Sequence, residues 1–93
     1  MSHTSSVFSH LLAGKAKVLV LDVRSPEEYA DGHIDGALNV PLHELRGRLS
    51  ELPDKQRSIV VYCHSGNRSG QAKRLLVQAG YADVHDLGAM TNW

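Results

Sequence analysis

Cys63 is the residue whose type and position most clearly allow chemistry. It is the only cysteine of the chain, and it follows the apolar, β-branched run 58–62, which is typical of a buried strand. From Ser69 onward, apolar residues recur at helical spacing. A thiol between a strand and a helix N-terminus lies near unpaired backbone N–H groups and the positive end of the helix dipole. Because the thiolate is the reactive form of cysteine, this position favours a nucleophile.

Arg68 adds a fixed positive charge five residues after Cys63. A nearby cation favours the thiolate over the thiol and attracts an anionic reactant. The alternative is that Cys63 is a small buried hydrophobe, which is the common fate of a free cysteine. The local pattern favours the nucleophile and leaves the alternative open.

Length and composition predict one small globular domain over residues 1–93. Ten basic residues balance ten acidic ones, so no surface for nucleic acid or membrane is indicated. A single cysteine excludes an intramolecular disulfide and a C-x-x-C redox pair. No apolar run has the length of a membrane span, and no signal-peptide pattern opens the chain. The expected location is therefore the cytoplasm.

Short apolar runs alternate with helical patterns along the chain. The predicted strands are residues 18–21, 37–40 and 58–62 and a last one around Val84. This order predicts an α/β fold, a small parallel β-sheet flanked by helices on both faces. Ligands of such sheets bind beyond the carboxyl ends of the strands. Asp22 and Cys63 both lie at such ends, so the chemistry is expected at that edge.

Two helices are predicted in the first third of the chain. The first is capped by Ser5 or Ser6 and ends at Gly14. The second has the stronger start, a serine N-cap at Ser25 with proline next and a glutamate three residues later, which together form a capping box. This second helix is expected to end at Gly32.

Two further helices are predicted on either side of the 58–62 strand. Leucines at positions 42, 45, 49 and 52 have helical spacing, and Pro53 ends the pattern. Gly47 within this helix weakens it by about 1 kcal/mol relative to alanine. The last helix begins near Ser69, with Gly80 as its C′ residue, and residues 88–93 are expected to form a loop.

Three sequence blocks occur in order along the chain. They are D-V-R-x-x-x-E-Y at 22–29, G-H-I-x-G-A at 32–37 and C-x-x-G-x-R-S at 63–69. Together they closely resemble the single-domain rhodaneses, which are thiosulfate sulfurtransferases, and the similarity extends from about residue 11 to residue 93. The sequence departs from the family at Ala89, where a second glycine is common, and in ending at Trp93. Both departures concern the C-terminal edge and not the cysteine loop.

The resemblance implies that Cys63 takes the outer sulfur of thiosulfate as a persulfide and releases sulfite. Cyanide, a thiol or a sulfur-relay protein would then accept the sulfur; with no second cysteine, the acceptor must be external. Residues 64–69 are named the Cys63 loop below, and its backbone N–H groups would surround the transferred sulfur. Arg68 would help to hold the thiolate and the anionic donor. The substrate-binding residues so implied are His64, Ser65, Gly66, Asn67, Arg68 and Ser69.

The resemblance also suggests supporting roles for Asp22 and Arg24, as buried or half-buried polar contacts that brace the Cys63 loop. Six histidines are scattered without the spacing of metal ligands, so neither a metal site nor a cofactor is expected.

Two other function classes share this pattern. A phosphatase or arsenate reductase of the same fold also uses a thiolate in an amide loop that ends in arginine, but the loop of thiol phosphatases is one residue longer. The shorter loop favours a cradle for a single sulfur atom. A non-catalytic rhodanese-like binding module is the third class, and the intact Cys63 and Arg68 argue against it.

Overall fold

The protein contains one parallel β-sheet in its computed structural model, which describes residues 18–93. The strands are β1 (Leu19–Asp22), β2 (Leu38–Asn39), β3 (Ile59–Cys63) and β4 (Val84–Ala89). They are hydrogen-bonded in the order β2-β1-β3-β4, and every neighbouring pair is parallel. The predicted α/β class is therefore confirmed, whereas the helix predicted over residues 5–14 lies outside the described residues.

Helices connect and cover these strands. They are α1 (Pro26–Asp31), α2 (Leu42–Leu45) and α3 (Asn67–Gln78), with 3₁₀ helices at Arg46–Glu51 and Met90–Asn92. The start of α1 has the predicted capping box: the Glu28 amide donates to Ser25 Oγ at 3.1 Å, and the Ser25 amide donates to Glu28 Oε1 at 2.9 Å. This closed N-terminus lets so short a helix form.

Side chains of β3 alternate between the two faces of the sheet, and each face has its own apolar core. Val61 and Cys63 belong to the core formed with α2 and α3, which includes Leu45 and Leu76. Tyr62 belongs to the opposite core, together with residues from β1 and from the connection between α1 and β2. All five residues of β3 are buried, so the strand that ends at Cys63 is the centre of the fold.

The segment 42–52 differs from the predicted α-helix. It forms one α turn and continues as a 3₁₀ helix, with Arg48 at non-helical φ −118°. Gly47 lies at the change of helix type, where its low helix propensity weakens an α-helix. Residues three apart lie above one another in a 3₁₀ helix, so Leu49 and Leu52 pack against the same core. The Leu52 amide donates to the Leu49 carbonyl at 2.9 Å.

The C-terminal edge is more regular than the sequence suggested. Residues 88 and 89 were expected in a loop, and that prediction was wrong, because β4 continues through Ala89 and pairs there with Cys63. The register between β3 and β4 shifts after Val61, so that Leu87 is an extra residue on β4. This irregular pairing lies next to the carboxyl end of β3.

Candidate active site

Cys63 is the last residue of β3 and points into the N-terminal end of α3. Its Sγ accepts a hydrogen bond from the Gly66 amide at 2.9 Å and another from the Ser69 amide at 3.4 Å. The side chain is completely buried. Strand end, short loop and helix start thus converge on one sulfur atom.

The backbone of the Cys63 loop is held in this shape by Gly66. Gly66 is the N-cap of α3 and has φ +97°, a left-handed conformation that side-chain-bearing residues rarely adopt. Its carbonyl accepts from the Gly70 amide at 3.1 Å and from Ser69 Oγ at 3.1 Å. The loop therefore closes on itself while its amides face the thiol.

The pKa of the Cys63 thiol is set by two opposing effects. Burial raises it, but hydrogen bonds from the Ser69 side chain and from the backbone of Ser69, Gly66 and Ser65 outweigh burial, and the net pKa is lowered. The Ser69 hydroxyl, which here donates to the Gly66 carbonyl at 3.1 Å, has a single proton and must turn from that carbonyl to donate to the sulfur. The site consequently stabilises a thiolate by short-range hydrogen bonds.

Arg68 forms a two-pronged ion pair with Glu28 of α1. Its Nη1 lies 2.7 Å from Oε1 and its Nη2 lies 3.0 Å from Oε2. The hydrogen bonds from Arg68, followed by that from the Ser25 amide, lower the pKa of Glu28 to about 2, and Glu28 raises the pKa of Arg68. The cation predicted beside the thiol is present, but it is held by a carboxylate.

A cleft of about 200 Å³ lies beside this ion pair. Arg68 lines it together with Ser25 and His43, and apolar residues complete it: Val23, Pro41 and Leu42. Cys63 does not line the cleft, because its side chain is buried beneath the loop. An anion in the cleft would contact Arg68.

Asp22 and Arg24 form a buried polar network with Tyr62. Asp22 Oδ2 accepts from Arg24 Nη2 at 2.8 Å and from the Tyr62 hydroxyl at 2.7 Å. Arg24 Nη2 also donates to the Gly32 carbonyl at 2.6 Å, and the Ile34 amide donates to the Tyr62 hydroxyl at 3.1 Å. Burial first, and then the bond to Asp22, raises the pKa of Tyr62 to about 12.

This network lies on the face of the sheet opposite to Cys63, because Tyr62 and Cys63 are consecutive residues of one strand. Its hydrogen bonds join β1, β3 and the connection that follows α1. It is connected to the Cys63 loop through the backbone of Tyr62, whose carbonyl accepts from the Val23 amide at 3.2 Å, and Arg24 also acts electrostatically on Arg68. Support of the loop by Asp22 and Arg24 is thus indirect, and their functional role stays a prediction.

The remaining loop residues face outward. His64, Ser65 and Asn67 have exposed side chains, and the backbone of Ser65 contributes a hydrogen bond to the Cys63 thiol. Within residues 18–93, no group of histidine, cysteine or acidic side chains is arranged to hold a metal ion. In the same part of the chain, no helix has the length and apolar character needed to cross a membrane.

Three contacts in and around the candidate site were missed by sequence reasoning. Glu28 was interpreted solely as a capping residue, and Tyr62 solely as an apolar strand residue. Asn39 was not singled out, yet its side-chain amide donates to the Asp22 and Arg24 carbonyls at 3.1 and 3.0 Å. The contacts of Glu28 and Tyr62 join residues 40 positions apart, so local spacing carries no signal for them.

Comparison with known proteins agrees with this geometry. The family described as "Rhodanese-like domain" matches residues 6–93. A thiosulfate sulfurtransferase of Escherichia coli K12, PspE, is 44% identical over 71 residues, which cover 75% of this chain and 68% of PspE. A sulfurtransferase of Allochromatium vinosum is 44% identical over 90 residues, covering 96% of this chain and 83% of that protein.

A solved structure extends the likeness to three dimensions. The human single-domain sulfurtransferase TSTD1 superimposes with a TM-score of 0.80 at 33% identity, covering 95% of this chain and 88% of that one. Because the family match spans nearly the whole sequence and both the fold and the relatives agree with it, the chain belongs to the rhodanese-like domain family.

Proposed function

We propose that this protein is a single-domain sulfurtransferase, residues 1–93, that moves sulfur from thiosulfate to cyanide or a thiol through a Cys63 persulfide. The observation that carries the proposal is the convergence of the Gly66 and Ser69 amides on Cys63 Sγ. The same amides that stabilise a thiolate can stabilise a charged persulfide. The relatives named as sulfurtransferases support the same activity.

In the first half-reaction, the Cys63 thiolate attacks the outer sulfur of thiosulfate. A new S–S bond forms at Cys63, the S–S bond of thiosulfate breaks, and sulfite leaves with the electron pair of that bond. Arg68, at the adjacent cleft, binds the donor anion and positions it.

In the second half-reaction, an external nucleophile attacks the outer sulfur of the persulfide. The S–S bond breaks, Cys63 leaves as a thiolate, and the acceptor becomes thiocyanate or a new persulfide. A thiol acceptor loses its proton to solvent. Because the cycle depends on one reduced thiol, we place the protein in the reducing cytoplasm.

The phosphatase alternative has less support from the loop. The amides of Gly66 and Ser69 already lie within hydrogen-bonding distance of Sγ, which leaves a cradle of atomic size. A binding module, for its part, would not need hydrogen bonds that lower the pKa of a thiol.

Parallel assays of the purified protein distinguish these functions. We expect thiosulfate and cyanide to give thiocyanate, an aryl phosphate to give negligible hydrolysis, and Cys63→Ser to abolish the first reaction. Efficient hydrolysis of the aryl phosphate without thiocyanate formation would favour the phosphatase. Folded protein inactive in both assays would favour the binding module.

A further inference from the structure

A second concave surface lies next to the candidate active site. It is a groove of about 400 Å³ between α2 and α3. The half-buried side chains of Leu42 and Leu75 give it an apolar part, and the exposed amides of Gln71 and Gln78 give it hydrogen-bonding groups. We name it the α2–α3 groove.

The α2–α3 groove is positively charged in a chain whose formal net charge is zero. Arg46, Arg74 and His43 line it, and no aspartate or glutamate does. Within residues 18–93, Arg46 and Arg74 form no ion pair, whereas Arg48 pairs with two glutamates. Two guanidinium groups on one groove are therefore left for an external partner.

The groove starts at the mouth of the active site. It shares Leu42 and His43 with the cleft that contains Arg68. Arg68, Gln71, Leu75 and Gln78 follow one face of α3 at helical spacing. From Arg68 to the far end of the helix this face is roughly 15 Å long, which matches about five residues of an extended peptide.

Building on the function proposed above, we propose that the α2–α3 groove docks the protein acceptor of the sulfur, through an acidic segment next to the acceptor cysteine. Carboxylates of that segment pair with Arg46 and Arg74, and an apolar side chain contacts Leu42 and Leu75. The acceptor thiolate then attacks the outer sulfur of the Cys63 persulfide; the S–S bond breaks and Cys63 leaves as a thiolate.

Charge complementarity favours an acidic segment of a protein acceptor over the chain's own N-terminal segment as the occupant of the α2–α3 groove. Residues 1–17 contain no aspartate or glutamate and include Lys15 and Lys17, so they have no anion to offer Arg46 and Arg74. Cyanide, as a minimal acceptor, has no contact to make with a groove of this length. Docking is therefore expected to matter for a protein acceptor and not for cyanide.

Synthetic thiol peptides test the proposal. Three peptides of equal length carry one cysteine followed by acidic, neutral or basic residues, and each is mixed with persulfide-loaded protein. Rates of sulfur transfer are compared per thiolate, since flanking charges change the peptide thiol's own pKa. Two exposed ion pairs predict a preference for the acidic over the neutral peptide of about two- to thirtyfold at low salt, which decreases as salt rises.

Single substitutions assign the preference to the groove. Arg46→Ala and Arg74→Ala are each expected to reduce it about 1.4- to fivefold. Lys73→Ala is the matched control, because Lys73 neighbours Arg74 on α3 but does not line the groove. Transfer to cyanide should be unchanged in all three variants.

The outcomes separate docking from catalysis. If cyanide removes the sulfur but the three peptides react at equal rates, docking is overturned and the sulfurtransferase stands. If Lys73→Ala weakens the preference as much as Arg74→Ala does, general surface charge explains it and the groove proposal fails. If no persulfide forms at all, the proposed function itself fails.

Discussion

Arg68, five residues after the nucleophile, is held by Glu28 through two hydrogen bonds of 2.7 and 3.0 Å. The same carboxylate accepts a hydrogen bond from the Ser25 amide and thereby caps α1. One residue thus links the start of α1 to the Cys63 loop on α3. The pair is nearly neutral as a unit, and Arg68 interacts electrostatically with Cys63 as well as with Glu28.

Replacement of Arg68 by alanine should weaken donor use. Charge-assisted contacts are worth about 1.5–3 kcal/mol, which predicts a roughly ten- to hundredfold fall in kcat/KM for thiosulfate. Its side chain is 36% exposed, so the smaller loss is expected. Arg68→Lys keeps the charge but not the two-pronged geometry and should be intermediate. Equal kinetics in all three proteins would show that the loop amides suffice.

Glu28→Gln should lower stability in a pH-dependent way. The folded-state pKa of Glu28, about 2, lies below its ordinary value of 4.5, so its stabilisation is full above pH 4.5 and is lost as the pH falls toward 2. An exposed pair is worth about 0.2–1 kcal/mol, or a few degrees of Tm. Thermal unfolding measured between pH 7 and pH 2 should show that the difference in Tm between Glu28→Gln and the wild type decreases as the pH falls.

Glu27→Gln provides the control for that series, because Glu27 is the exposed neighbour of Glu28 on the same helix turn. Its Tm should follow that of the wild type. A Glu28→Gln difference that stays constant down to pH 2 would mean that the ion pair does not stabilise the fold.

Ser69→Ala should raise the pKa of the Cys63 thiol. After the opposing effect of burial, the Ser69 side chain is the largest of the influences that lower this pKa. The rate of alkylation by a small haloacetamide, followed against pH, should show its inflection at higher pH than in wild type. Ser65→Ala keeps the backbone amide and should not move the inflection. Identical profiles for Ser69→Ala and wild type would show that the Ser69 hydroxyl does not lower the pKa of the thiol.

Tyr62→Phe should affect stability and spare catalysis. It removes the hydroxyl that donates to Asp22 at 2.7 Å and leaves the Ile34 amide without its acceptor. A buried polar group without a partner costs about 1–3 kcal/mol, or a Tm lower by about 4 °C or more. Activity per folded molecule should be normal, since the hydroxyl is on the face of the sheet opposite to Cys63. Normal Tm with lost activity would assign the network a direct role.

Local sequence signals predicted the parts of the fold that have local causes. The capping box of Ser25 and Glu28 appears as expected, because its hydrogen bonds join residues three positions apart. Buried strands were recognisable from their apolar runs, and the thiol's position from the order of strand, loop and helix. The change from α2 to a 3₁₀ helix was not predicted, because leucines three and four residues apart fit both helix types.

The long-range contacts of the site had no such signal. Nothing near Glu28 or Arg68 in the sequence shows that they meet, since the contact depends on how α1 and α3 pack beside the sheet. Likewise, the hydroxyl of Tyr62 reaches Asp22 only because β1 and β3 pair in a register that places these residues side by side. Sheet register and helix packing decide both contacts.

The persulfide on Cys63 is the central claim, and intact-protein mass spectrometry tests it most directly. After incubation with thiosulfate and removal of excess reagent, the protein should carry one added sulfur atom. Cyanide should remove that sulfur, and Cys63→Ser should never acquire it. A folded wild-type protein whose mass is unchanged by thiosulfate, or a Cys63→Ser variant that gains the same sulfur, would contradict the account.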